Sequence, residues 1–160
     1  MKHSMESRYE APRAVLLRMF ADRAFHERKL DAMGIARYEV LEFQADDARA
    51  RVSIARQVPV QLPGLKKSSG SSRVVHTEDW DLQKGTATIV AEPQGMPIEM
   101  RCSARIEDDG DDACVVRYDW DIKANVPVVG RKLEKFVASD METRAEQEAD
   151  AGRALIDDYR

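Results

Sequence analysis

Hydrophobic and polar positions divide this chain into segments of different period. Val15, Leu16, Met19 and Phe20 recur at helical spacing after Ala11-Pro12, and a proline is well suited to the first turn of a helix. Asp22 can cap a second helix that runs through Leu30 and Met33 to Gly34, which tolerates the left-handed conformation of a helix end. Ahead of this pair, Glu6 to Glu10 reads as a short first strand, with the residues before it a disordered tail.

From Arg37 onward the period becomes two. Val52, Ile54 and Val58 alternate with Arg51, Ser53 and Gln57, and Ile98, Met100, Cys102, Ala104 and Ile106 alternate with charged or polar neighbours. Cys114, Val116, Tyr118, Trp120, Ile122 and Val126 repeat the pattern, and Gln83-Lys84-Gly85 and Asp109-Gly110 supply turns. Seven antiparallel strands are expected. The stretch Leu62 to Ser72 keeps neither period and reads as a mobile loop, either a lid or a plain connector. After Pro127, an apolar face returns at Val129, Leu133, Phe136, Val137, Met141, Ala145, Ala149, Gly152, Leu155, Ile156 and Tyr159. A helix from Val129 to Arg160 reaches roughly 45 Å, longer than one small sheet, so its last turns are expected to fray or project. This order of elements suits a sheet curled around a terminal helix, with a hydrophobic cup between them.

Length and composition narrow the class. A chain of 160 residues fits one domain, 1–160, and 43% hydrophobic residues supply its core. A net charge of -4 lacks the basic balance of a nucleic-acid binder. No run of about 18 apolar residues is present to insert stably in a membrane, and the first residues lack a signal-peptide core. Two cysteines are too few for a disulfide framework, which together with the missing leader points to a reduced cytoplasmic setting.

Candidate chemistry concentrates on one strand. Val74, His76, Glu78, Trp80 and Leu82 share a face, so an imidazole and a carboxylate enter the cup if that face turns inward. Arg56 lies on the dry side of the preceding strand and is expected opposite His76 or Glu78, because a buried carboxylate needs a partner. In the functional reading, Arg56, His76 and Glu78 hold a ligand's polar end while Trp80, Met100, Tyr118, Trp120, Leu133, Phe136 and Val137 contact its apolar body. In the structural reading, the same residues form an ion pair at the sheet rim and an ordinary aromatic core. His3, in the tail, and His26, on an exposed helix, support neither. There is no HExxH, CxxC, calcium-loop or P-loop pattern, so no metal, cofactor or nucleotide is expected. Cys102 and Cys114 fall on apolar faces as small hydrophobes.

Tyr9-Glu10-Ala11-Pro12 leading into the first helix and Val126-Pro127-Val128-Val129-Gly130 leading into the last resemble the START-like superfamily, also called SRPBCC or Bet v 1-like. Leu62-Pro63-Gly64, Trp80 and the run from Val129 to Lys135 are similar to a bacterial family of unassigned activity. The resemblance implies an α+β helix-grip fold: a curved seven-stranded antiparallel sheet around a long C-terminal helix, closed at one end by two small helices. It also implies a cavity for lipids, sterols, polyketides or other apolar molecules. Three functions follow as expectations: a non-enzymatic binder or carrier of a small hydrophobic ligand, a small cyclase- or hydrolase-type enzyme using Arg56, His76 and Glu78, or an interaction module. The last would be a homodimer joined through Leu155, Ile156 and Tyr159.

Overall fold

The computed structural model describes residues 1–60 and 70–160. In chain order it comprises β1 (Lys2–Tyr9), α1 (Arg13–Phe20), α2 (Arg23–Ala32), β2 (Tyr38–Ala45), β3 (Arg49–Val60), β4 (Gly70–Asp81), β5 (Thr86–Pro93), β6 (Ile98–Asp108), β7 (Cys114–Ala124) and α3 (Gly130–Leu155), then a short 3-10 turn over Ile156–Tyr159. The strands form one antiparallel sheet in the order β1-β7-β6-β5-β4-β3-β2. The last six make a meander, and β1 crosses back to pair with β7, Tyr9 opposite Cys114 and Lys2 opposite Asp121. This is the helix-grip architecture that the order of periods and the resemblance both predict.

The period of two sets which face is dry. Along β6, Ile98, Met100, Cys102, Ala104 and Ile106 are buried while Glu99, Arg101, Ser103 and Arg105 are exposed. The outer face carries cross-strand ion pairs such as Arg49–Asp79 and Arg105–Asp119, both at 2.7 Å. Such exposed pairs contribute only about 0.2–1 kcal/mol each, so the sheet is held by its inner face. There the side chains of α1 (Val15, Leu16, Met19 and Phe20), Phe25 of α2 and Trp80 of β4 form the main core. Leu30 with Val52 and Ile54 forms a second cluster where α2 covers the β2–β3 edge.

Helix α3 crosses the concave side and is buried mainly near its ends, at Gly130, Ala138, Ala149, Ala151 and Gly152. Small residues bring it close. A Cβ on Gly152 would lie 3.2 Å from the Tyr9 ring, and one on Gly130 would lie 3.1 Å from the Ala124 carbonyl oxygen. Between these two docking points, Phe136, Val137, Met141, Arg144, Ala145 and Glu148 are only partly buried, because the helix there spans an open space.

Five expectations need correction. β1 begins at Lys2, not Glu6, because pairing to β7 orders the first residues: Lys2 Nζ lies 3.0 Å from Asp121, and Ser4 donates to Asp119 at 2.7 Å. His3 is therefore a strand residue opposite Trp120 and not part of a tail. Gly70, Ser71 and Ser72 belong to β4, since the ladder with β3 continues through Val58–Ser72 and Pro59–Ser71. The rest of the expected loop, with Leu62-Pro63-Gly64, lies outside the described residues. His26 is 2% exposed, on the sheet-facing side of α2 with Phe25. The chain end does not project: Ile156 is buried, the Tyr159 hydroxyl donates to Asp22 at 2.6 Å, and Arg18 donates to the Tyr159 carbonyl oxygen. Leu155, Ile156 and Tyr159 are thus spent on the core of their own chain.

Candidate functional site

The concave sheet, α2 and the middle of α3 enclose a cavity of about 550 Å³. Its walls are mostly apolar: Phe20, Phe25, Val58, Val74, Trp80, Ile89, Ala91, Met96, Ile98, Met100, Trp120, Phe136, Val137, Met141 and Ala145 all reach it. β3 and β4 place their inward residues in register, Val52 opposite Glu78, Ile54 opposite His76 and Arg56 opposite Val74. That register puts three polar side chains from two adjacent strands on the cavity side, while α2 adds Lys29 and α3 adds Asp140, Arg144 and Glu148.

On β4, His76, Glu78 and Trp80 stand at i, i+2 and i+4 on the inner face. Glu78 is buried and both of its oxygens are occupied: His76 Nε2 donates to Oε1 at 3.2 Å and Trp80 Nε1 donates to Oε2 at 2.9 Å. Burial alone would raise the Glu78 pKa. The hydrogen bond from His76 and the charge of Lys29 outweigh it and hold the carboxyl well below the usual range, so Glu78 is ionised.

Arg56 was expected against His76 or Glu78, and the structure pairs it elsewhere. Its Nη1 donates to Glu148 Oε1 at 2.8 Å, with side-chain exposures of 13% and 26%. Register explains the difference: Arg56 sits one inward position beyond His76, toward the connected end of the β3–β4 pair, within reach of Glu148 on α3. Burial raises the Glu148 pKa, but Lys29, Arg56 and His76 together bring it down to about 2.

Lys29 and Glu148 were not singled out from sequence, although both carried a signal. Lys29 shares the apolar stripe of α2 with Phe25, His26 and Leu30, and Glu148 continues the Met141, Ala145, Gly152 stripe of α3. A charged residue on an otherwise apolar helical face is the observation that could have found them. Lys29 is itself buried, its ammonium 5.5 Å from the centre of the Phe25 ring. Beneath it, His26 Nε2 donates to the Phe20 carbonyl oxygen at 2.8 Å, and burial lowers the His26 pKa, keeping the imidazole neutral.

Of the ten expected site residues, Arg56, His76, Glu78, Trp80, Met100, Tyr118, Trp120, Phe136 and Val137 line the cavity. Leu133 does not. It packs on the core in the first turn of α3, where Glu134 accepts from the Ala124 backbone N–H at 3.1 Å and pins the helix to the end of β7. Burial raises the Tyr118 pKa well above its ordinary value, so this lining residue is a neutral phenol. Among the described residues, no three His, Cys, Asp or Glu side chains converge as a metal ion requires, and no helix is long and apolar enough to cross a membrane.

Residues 4–156 match the family described as "Protein of unknown function (DUF2505)". The chain belongs to this family. Among solved structures, a protein of Thermus thermophilus is 16% identical with a TM-score of 0.66, covering 98% of this chain and 97% of its own. A START superfamily protein of Mycobacterium smegmatis is 13% identical, TM-score 0.63, covering 99% of both chains. The ZhuI aromatase/cyclase of a Streptomyces species is 12% identical, TM-score 0.58, covering 98% of this chain and 90% of its own. At these identities the likeness establishes the START-like fold of this DUF2505 member and nothing finer. No curated protein matches the sequence.

Proposed function

We propose that this protein binds and carries a small hydrophobic molecule, lipid-like or polyketide-like, in the cavity between α3 and the sheet, without transforming it. The observation that carries this reading is an apolar-walled cavity of about 550 Å³ with its few polar groups gathered from β3, β4, α2 and α3. Small-molecule sites commonly enclose about 300–1,000 Å³ with this division of surface. Each buried methylene contributes about 0.8 kcal/mol, so a ligand of ten or so carbons reaches micromolar affinity in a cavity already formed. In this reading Trp80, Met100, Tyr118, Trp120, Phe136 and Val137 contact the ligand's body, and Arg56, His76 and Glu78 face its polar end. Leu133 acts only by fixing the start of α3.

Native mass spectrometry of freshly purified protein, compared with the denatured mass, tests the proposal. A recurrent extra mass lost on denaturation is expected. A bare native mass, combined with no uptake of a neutral hydrophobic dye, would leave the reading without support.

One observation favours a second reading, a small cyclase- or hydrolase-type enzyme. His76 is held by an ionised carboxylate inside the cavity, an arrangement suited to proton exchange with a bound molecule. A relative of the same fold is named an aromatase/cyclase. For an enzyme, His76→Ala abolishes conversion of a bound compound while sparing its affinity. For a carrier, the bound compound is recovered unchanged from wild type.

A further inference from the structure

The charged groups of the cavity are unequally satisfied. Arg56 is paired with Glu148, and both oxygens of Glu78 receive donors. Lys29 lines the same cavity at 9% exposure, yet its ammonium makes no hydrogen bond or ion pair with any described residue, resting only over the Phe25 ring. Through-space attraction to Glu78 and Glu148 offsets its charge but fills none of its three N–H groups. Among the described residues Lys29 is thus the cavity cation with every N–H free for a bound molecule, while Arg56 Nε and Trp120 Nε1 each leave a single buried donor without a partner.

Charge decides what kind of acceptor fits. Lys29 and Arg56 balance Glu78 and Glu148, Arg144 pairs with Asp140 at 2.7 Å on α3, and the imidazole of His76 adds a charge only when protonated. A ligand carboxylate would leave this enclosed set with an uncompensated negative charge, and a ligand ammonium would add a cation beside Lys29. An uncharged carbonyl oxygen accepts from Lys29 and disturbs neither balance.

We propose that Lys29 is the recognition group for the ligand's polar end, and that the ligand is an apolar molecule bearing an uncharged carbonyl, of the ketone or ester class. This rests on the hydrophobic-binding function proposed above and names the class of molecule that function serves.

The test uses the full chain at pH 8 with 2-octanone, octanoate, octylamine and octane as competitors for the neutral dye N-phenyl-1-naphthylamine. In wild type, 2-octanone is expected to bind about tenfold or more tightly than octanoate or octylamine. Lys29→Met is expected to weaken 2-octanone about tenfold while changing octane by less than about threefold, as loss of one charge-assisted hydrogen bond requires. Infrared spectroscopy of carbonyl-labelled 2-octanone gives a readout that does not depend on the variant folding: the carbonyl band of the wild-type complex lies below that of the ketone in hexane. Tighter binding of octanoate or octylamine overturns the uncharged class. Equal weakening of octane and 2-octanone by the variant, or an unshifted carbonyl band, overturns the role of Lys29. If octane binds and 2-octanone shows no such preference, the hydrophobic-binding function survives and this inference does not. If nothing displaces the dye, both fail.

Discussion

Arg56 on β3 and Glu148 on α3 meet at 2.8 Å across the polar end of the cavity, a contact between residues 92 positions apart that ties the sheet to the one helix it grips. Helix α3 buries little apolar surface along this stretch, since it spans open space between Ala138 and Ala149. The ion pair therefore stands where hydrophobic packing is thin, and its partners are desolvated enough that losing either one leaves a charge poorly solvated.

Removing one partner should cost more than removing both. Loss of half of a buried pair costs about 3–5 kcal/mol, and the 26% exposure of Glu148 reduces the expected cost of Glu148→Leu to about 2–3 kcal/mol. The double variant Arg56→Met with Glu148→Leu should recover most of it, because no unpaired charge remains. Urea unfolding of the four proteins gives the coupling energy. Additive losses would mean that the two side chains do not interact in solution.

His26 sets a mild acid sensitivity. Its folded-state pKa lies below the ordinary 6.5, because burial disfavours the imidazolium. Between the folded and unfolded values the unfolded chain binds the extra proton, so stability is full above about pH 6.5 and declines as pH falls toward the folded value. The Glu78 and Glu148 contributions persist further, beginning to decline only below about 4.5. His26→Gln, which can still donate to the Phe20 carbonyl oxygen, should flatten the stability profile between pH 6.5 and 5 while leaving the steeper fall below pH 4.5 intact. Thermal melts across that range check it.

The sheet was legible because period two reports burial directly: Ile98 to Ile106 and Cys114 to Ile122 identify the inner face before any contact is known. His76, Glu78 and Trp80 followed from the same parity. What periodicity does not encode is which strand residue lies across from which helix residue, so Arg56 was matched to its neighbours on β4 and not to Glu148. The N-terminal strand failed for a related reason, since Lys2 to Met5 owe their order to pairing with β7 more than 110 positions away. His26 was placed on an exposed helix and Lys29 passed over because α2 is mostly polar, and the position of a cation on its one apolar stripe marks burial without showing that the stripe faces a cavity.

Val128 holds a strained backbone that can be relieved. Its φ of 70° is in the left-handed region that β-branched residues rarely adopt, and its side chain is fully exposed, so it gives nothing back in packing. The strain sits in the short link between β7 and Gly130, which the close approach of Gly130 to the Ala124 carbonyl oxygen constrains. Val128→Asn should raise stability by about 0.5–1 kcal/mol in urea unfolding, and Val128→Ile should bring no gain.

Filling the cavity from the helix side separates binding from folding. Ala145 lines the space on α3 and is only partly buried, so a larger side chain there grows into empty volume and not into packed core. Ala145→Phe should weaken binding of a neutral hydrophobic dye by about tenfold, through loss of room for a few methylenes, while changing the melting temperature little or raising it. Gly152→Ala is the contrasting case on the same helix: its new methyl meets the buried Tyr9 ring at 3.2 Å, and overpacking of that kind costs about 1–3 kcal/mol, more than the roughly 1 kcal/mol gained in helix propensity. Dye affinity should therefore fall with Ala145→Phe at constant stability, and stability should fall with Gly152→Ala. If Ala145→Phe leaves dye affinity unchanged, the dye occupies some other surface, and the space between α3 and the sheet is not where hydrophobic molecules bind.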